Sequence, residues 1–248
     1  KVTEKTAFLD KYVKVISGPM DVVRIFSGLS AGQQHNLNRA IRNLFNFLEA
    51  QGFNEAYLNL LRKNIPKDHV GVDLKVPEES NILESLRKLP KAPEKYVALY
   101  NLLLDSGLRL TEAVKAINEL SENKLFRVKA DNQDFCRLTL GFFRASKIAY
   151  CAYFSDYTYS LIHAVKEPIK ECGARRYFNK YGFITPRYIR KFAFNKMIEL
   201  GVPESVADFI QGRAPKRIGA RHYMALVNQA DQFYGRYADY IEKLRIKS

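Results

Sequence analysis

Arginine, lysine and tyrosine residues between positions 109 and 223 of the 248-residue chain have types and spacing that suit phosphate chemistry. Several fixed cations can hold one phosphodiester and neutralise the charge that develops on its non-bridging oxygens. A tyrosine hydroxyl beside them can attack the phosphorus, because a positive field stabilises its phenolate form. The candidate residues, in chain order, are Arg109, Lys147, Arg187, Arg190, Arg213 and Tyr223.

The arginines lie in motifs that favour anion binding. Arg109 follows a glycine-containing turn and opens a predicted helix, where free backbone N–H groups favour a phosphate. Arg187 and Arg190 come three residues apart after a Thr-Pro pair, so they share one face of a predicted helix. The alternatives are an ordinary helix pair between Arg109 and Glu112, and a basic surface that only binds DNA.

The other two roles have competing residues. Lys147 lies at a predicted hairpin turn, where most lysines are only solvated, and Arg144 is a nearby competitor. Tyr223 is one of 15 tyrosines, most of which are expected to be core or surface amphiphiles. It is singled out because a run of cations precedes it, whereas Tyr234 and Tyr237 lie later in a predicted helix.

Composition points to a polyanionic partner. The formal net charge is +14, and residues 170–223 carry twelve Lys or Arg against four Asp or Glu. A membrane surface is the rival partner, but no apolar run reaches transmembrane length. The three cysteines form no Cys-x-x-Cys pair and the four histidines have no metal-ligand spacing. We therefore expect an intracellular, cytoplasmic protein without a metal or other cofactor.

The hydrophobic pattern predicts a mainly α protein with a small antiparallel β-sheet, of the α+β class. Residues 1–66 form a predicted helical domain whose exposed side carries Arg39 and Arg42. Residues 67–77 form a predicted linker that contains proline and glycine, and residues 78–248 form the second domain.

In this order the motifs resemble the catalytic signature of the tyrosine recombinases, also called the lambda-integrase family. The resemblance covers most of the second domain. It rests on Ser-Gly-Leu-Arg-Leu-Thr-Glu at 106–112, Thr-Pro-Arg-Tyr-Ile-Arg-Lys at 185–191 and Gln-Gly-Arg at 211–213. Arg187 and Arg213 stand where most members have histidine. These two replacements resemble integrases of archaeal viruses and plasmids.

The resemblance implies a site-specific recombinase that cleaves DNA through a 3′-phosphotyrosyl bond to Tyr223. It implies that Lys147 protonates the departing 5′ oxygen and that the four arginines hold the non-bridging oxygens. Glu112 and Lys191 take supporting roles. The residues expected to contact DNA are Arg39, Arg42, Arg144, Lys216, Arg217 and Arg221.

The resemblance also implies the partners. They are duplex DNA with attachment sites in tRNA genes, and three further protomers on that DNA, whereas the free protein is a monomer. Residues 226–246, which are predicted to be helical, pack either on a neighbouring protomer or on their own domain. Two rival functions stay open: type IB topoisomerase-like cleavage without partner exchange, and a DNA-binding relative that has lost activity together with the two histidines.

Overall fold

The computed structural model describes residues 2–67, 71, 73–130, 133–144, 147–213 and 223–248. At 2–5, 143–144, 147 and 223–225 it describes the backbone alone. The chain divides into two compact units between Leu74 and Lys75, inside the segment predicted as a linker. None of the described helices is long and apolar enough to cross a membrane.

The first unit is helical. Ser30 caps the longest helix, since its hydroxyl accepts from Gln33 N and the Gln33 side chain accepts from Ser30 N. A small apolar core formed around Phe26, Ile41 and Leu61 holds the helices together. They are α1 (Val2–Tyr12), α2 (Pro19–Phe26), α3 (Ala31–Ala50) and α4 (Glu55–Lys63).

The second unit combines helices with one antiparallel sheet of three strands in the order β1-β2-β3. This arrangement confirms the predicted mainly α class with a small antiparallel sheet. The strands are β1 (Leu125–Ala130), β2 (Gln133–Arg144) and β3 (Lys147–Ser155). The helices are α5 (Glu79–Lys88), α6 (Glu94–Ser106), α7 (Leu110–Asn118), α8 (Asp156–His163), α9 (Glu171–Lys180), α10 (Pro186–Glu199), α11 (Glu204–Ile210) and α12 (Tyr223–Ile246).

Helix α6 forms the centre of this unit. Every residue from Ala98 to Ser106 is buried. The buried carboxylate of Asp105 accepts hydrogen bonds from Ser155 N and Ser155 Oγ, each at 3.0 Å. The end of α6, and therefore the turn that follows it, is held to the end of β3.

Helix α12 packs on its own domain, which is the second of the two alternatives for residues 226–246. Tyr234 and Tyr237 are buried, and their hydroxyls donate to the backbone carbonyls of Asp105 and Leu104. Near the end of the helix, Arg245 forms an ion pair with Asp105 at 2.5 Å. Removal of α12 would therefore expose the core of the second unit, so we expect its deletion to destabilise the fold.

Candidate active site

The turn between α6 and α7 positions Arg109. Gly107 ends α6 with φ +59°, a left-handed conformation that favours glycine, and Arg109 is the N-cap of α7. Arg109 Nη1 donates to Glu112 Oε1 at 2.6 Å and to the carbonyl of Gly212 at 2.9 Å. Glu112 Oε2 also accepts from Arg109 N at 3.0 Å. The predicted contact between these two side chains is therefore present.

Arg190 is held by two backbone carbonyls. Its Nη1 donates to Gly107 O at 2.9 Å and to Gln211 O at 2.5 Å. Its Nη2 is buried and has no hydrogen-bond partner among the described residues. Burial lowers the pKa of the Arg190 guanidinium to about 9, and repulsion from Arg109 and Arg213 adds to the shift. The group still carries its charge at neutral pH, so an anion bound here would relieve the repulsion.

Gly212, whose carbonyl accepts from Arg109, packs directly against strand β3. It has φ +68°, and a Cβ atom there would lie 2.8 Å from the Cβ of Ala149 in β3. Only glycine permits this close approach. Lys147 lies two residues before Ala149 and is the first residue of β3, paired in register with Arg144 at the end of β2. Lys147 therefore lies at the start of β3, next to the predicted hairpin turn, and its side chain and that of Arg144 lie outside the description.

Three of the predicted residues line one cleft of about 630 Å³: Arg109, Arg187 and Arg190. Arg213 is not among its described lining residues. Its guanidinium pairs with Asp208 at 2.7 Å. Its positive charge still repels that of Arg190 and helps to lower the pKa of Arg190. The cleft is thus rich in positive charge, which suits a phosphodiester.

Lys191 follows Arg190 in α10. Its Nζ donates to the carbonyl of Lys75 at 3.0 Å and lies 5.5 Å from the ring centroid of Tyr188. It is not among the described lining residues of the cleft. A supporting role for Lys191 at the cleft therefore stays a prediction.

Two of the three tyrosine candidates, Tyr234 and Tyr237, are buried. Tyr223 is the first residue of α12, and its side chain lies outside the description. Burial raises the pKa of Tyr234 and of Tyr237 well above the usual value, and both hydroxyls are donors to backbone carbonyls. These two rivals are core residues and are unsuited to attack a phosphate in solvent.

The remaining predicted DNA contacts are only partly described. Arg39 and Arg42 are exposed on α3, and Arg42 Nε donates to Asn38 Oδ1 at 2.7 Å. Three residues of this group lie outside the described residues: Lys216, Arg217 and Arg221.

Gln211 belongs to the Gln-Gly-Arg motif, but no role in the site is predicted for it from the sequence. It is fully buried, and its Nε2 donates to the carbonyl of Arg190 at 2.9 Å. Together with the bond from Arg190 Nη1 to Gln211 O, this contact locks the two residues reciprocally. Its place directly before the Gly-Arg pair was the available signal.

The fold is that of the tyrosine recombinases. It is similar to the XerH site-specific recombinase bound to a palindromic difH substrate in a post-cleavage complex, with a TM-score of 0.52 and 13% identity over 91% of this chain and 76% of that chain. The pre-cleavage complex of XerH with difH gives a TM-score of 0.48 and 15% identity, over 88% and 66% of the two chains.

The family is shown by the sequence itself. The model of the archaeal phage integrases matches residues 74–240, which is more than half of the chain. The chain therefore belongs to the archaeal phage integrase family. No curated protein matches the sequence.

Proposed function

We propose that the chain is a site-specific integrase that cuts and rejoins duplex DNA through a 3′-phosphotyrosyl intermediate, to integrate or excise a mobile element. The observation that carries the proposal is the cleft where Arg109, Arg187 and Arg190 meet. Arg109 has one carboxylate partner, Glu112, and Arg190 is held by carbonyls alone among its described hydrogen bonds. Guanidinium groups fixed in this way are suited to a phosphate that gains negative charge as it reacts.

Tyr223 and Lys147, whose side chains lie outside the description, carry the proton and bond changes. Tyr223 gives its phenolic proton to water, and the phenolate, stabilised by the neighbouring cations, attacks the phosphorus and forms the 3′-phosphotyrosyl bond while the bond from phosphorus to the 5′ oxygen breaks. Lys147 gives the departing 5′ oxygen its proton. The covalent bond conserves the energy of the broken phosphodiester, so a 5′ hydroxyl from a partner strand can reverse the step without a nucleotide cofactor.

The arginines stabilise the pentavalent transition state. Arg109 and Arg190 hold the non-bridging oxygens, because their guanidinium groups are fixed by Gly212 and Gly107 carbonyls before the DNA arrives. Arg187 and Arg213 stand where most family members have histidine. Both side chains carry a positive charge. Arginine is not a base at neutral pH, so these two residues donate hydrogen bonds and neutralise charge only.

The first unit and the second unit would both contact the DNA. We keep residues 1–66 as the helical DNA-binding domain, 67–77 as the linker and 78–248 as the catalytic domain. Arg39 and Arg42 supply exposed positive charge in the first domain. Exchange between two duplexes requires four active sites, so a tetramer forms on attachment DNA, with tRNA genes as the first sequences to test.

Strand exchange between two differently labelled duplexes tests this proposal. An integrase transfers label from one duplex to the other, whereas a type IB topoisomerase-like enzyme relaxes supercoils and transfers none. Arg190→Ala should slow cleavage by about 10² or more, the scale for loss of one preorganised donor, and weaken binding much less. Equal losses in cleavage and binding would show an ordinary phosphate contact, as in an inactive DNA-binding relative.

A further inference from the structure

A β-bulge separates the end of the β2–β3 hairpin from the rest of the sheet. Leu140 and Gly141 in β2 stand opposite one residue of β3, Tyr150, because the register shifts there. A bulge interrupts the ladder and bends the strand, so contacts outside the sheet must fix what lies beyond it. The part beyond it, which we call the hairpin end, consists of the pairs Phe142–Ala149, Phe143–Ile148 and Arg144–Lys147.

The first of these contacts joins Ala149 to Gly212. Ala149 is fully buried. A Cβ atom on Gly212 would lie 3.1 Å from Ala149 Cα and 3.3 Å from Ile148 O, so the two backbones leave no room for one added carbon. The carbonyl of Gly212 in turn accepts from Arg109 Nη1. The hairpin end is therefore packed against the same residue that holds the guanidinium of Arg109.

The second contact joins Phe142, the partner of Ala149 across the strands, to helix α7. Lys115 Nζ lies 4.1 Å from the ring centroid of Phe142, within the range of a cation–π contact. Lys115 is in the last turn of α7, and Arg109 is the N-cap of the same helix. Both contacts of the Phe142–Ala149 pair therefore lead to elements that also position Arg109.

We propose that Ala149 and Phe142 are positioning residues that set where the backbone of Lys147 lies relative to the arginine cleft. This role rests on the proposed function, in which Lys147 protonates the departing 5′ oxygen. Lys147 lies two residues before Ala149, which is about 7 Å along an extended strand. A shift of the Ala149 backbone is therefore passed on to Lys147, and a proton donor misplaced by about 1 Å loses much of its effect.

Ala149→Val tests this role against the matched control Ala152→Val. Both alanines are fully buried in β3, and each change adds the same two methyl groups, which forces local shifts of the backbone. Ala152 is paired with Leu138 on the other side of the bulge, so its replacement should destabilise the protein without moving Lys147. Circular dichroism and thermal unfolding check that both variants keep the fold.

The measurement is single-turnover cleavage of natural DNA and of DNA with a 5′-phosphorothiolate at the scissile bond, whose sulfur leaves without a proton. Ala149→Val should cleave natural DNA about 10–10²-fold more slowly than Ala152→Val, a large part of what a general acid supplies. The two variants should cleave the sulfur substrate at the same rate. Phe142→Leu, which keeps an apolar side chain, should show the same difference between substrates and replaces Ala149→Val if that variant does not fold. Equal slowing on both substrates would overturn the positioning role.

Hydrogen exchange of the free protein gives a second readout that needs no cleavage. Lys115→Gln removes the cation from the Phe142 ring, whereas Glu119→Gln removes only the ion-pair partner of Lys115, at 3.7 Å. Lys115→Gln should speed exchange of the backbone amides of the hairpin end about two- to fivefold, the factor for one exposed cation–π contact, and Glu119→Gln should leave it unchanged. Unchanged exchange in Lys115→Gln would overturn the role of this contact. A wild type that cleaves neither substrate, in which Lys115→Gln still has this effect, would refute the proposed function and not the contacts that fix the hairpin end.

Discussion

Gly107→Ala is the substitution that most sharply separates positioning from stability in the candidate site. At φ +59° a residue with a Cβ costs about 1–2 kcal/mol. The new Cβ would also lie 2.4 Å from Gln211 Nε2, so the Gln211 side chain must move. That movement breaks its bond to Arg190 O and leaves buried polar groups unsatisfied, at roughly 1–3 kcal/mol. The free energy of unfolding should fall by about 2–5 kcal/mol in total.

The effect on cleavage follows from the same contacts. The carbonyls of Gly107 and Gln211 both accept from Arg190 Nη1. A shift of either carbonyl moves the guanidinium away from the scissile phosphate. We expect single-turnover cleavage at saturating DNA to slow by about 10²–10³, the scale for loss of one preorganised transition-state donor.

Gly182→Ala is the matched control. Gly182 has φ +66°, and its nearest neighbour to an added Cβ is the flexible Lys88 Nζ at 3.9 Å. This variant should lose about 1–2 kcal/mol from backbone strain alone and cleave at the wild-type rate. Chemical unfolding followed by circular dichroism measures both losses. If Gly107→Ala cleaves as fast as Gly182→Ala, the turn does not position Arg190.

Three further substitutions test the surroundings of the site. Arg245→Met leaves the buried carboxylate of Asp105 without its ion-pair partner and should lower the free energy of unfolding by about 3–5 kcal/mol in chemical denaturation. A second change, Asp105→Asn, should recover part of this loss. Losses that simply add would show that the two side chains are not coupled. Burial raises the pKa of Tyr237 in the folded protein above its value near 10 in the unfolded chain. The neutral side chain therefore contributes fully to the free energy of unfolding below about pH 10, and this contribution is lost as the pH rises further. Tyr237→Phe should therefore flatten the alkaline loss of stability, and an unchanged alkaline profile would refute this reasoning. Lys147→Ala should cleave a 5′-phosphorothiolate substrate almost normally and natural DNA slowly, because a thiolate leaves without a proton. If this substrate rescues Arg144→Ala and not Lys147→Ala, then Arg144 is the general acid or the acid acts through it.

The residue types of the site could be predicted because each motif is local. Arg109 and Glu112 are three residues apart, and Arg187 and Arg190 share one helix turn. The contacts that hold them could not be predicted. Arg190 donates to a carbonyl 83 residues away and Arg109 to one 103 residues away. A backbone carbonyl belongs to every residue, so these bonds leave no signal of residue type.

The packing of α12 shows a second limit. Apolar residues at helical spacing predict that one face of residues 226–246 is buried, but they do not identify the surface that covers it. The structure buries that face against α6 and the sheet of the same domain, and the Arg245–Asp105 ion pair closes its end. The partner of an amphipathic helix is decided by tertiary contacts that one sequence does not display.

The identity of the nucleophile is the central claim. The most direct measurement is mass spectrometry of the denaturation-resistant protein–DNA adduct after protease digestion. We predict that the peptide with Tyr223 carries the 3′-phosphonucleotide, and that Tyr223→Phe forms no adduct while it binds duplex DNA within a few fold of wild type. A nucleotide on any other tyrosine, or an adduct that persists in Tyr223→Phe, would show that Tyr223 is not the nucleophile.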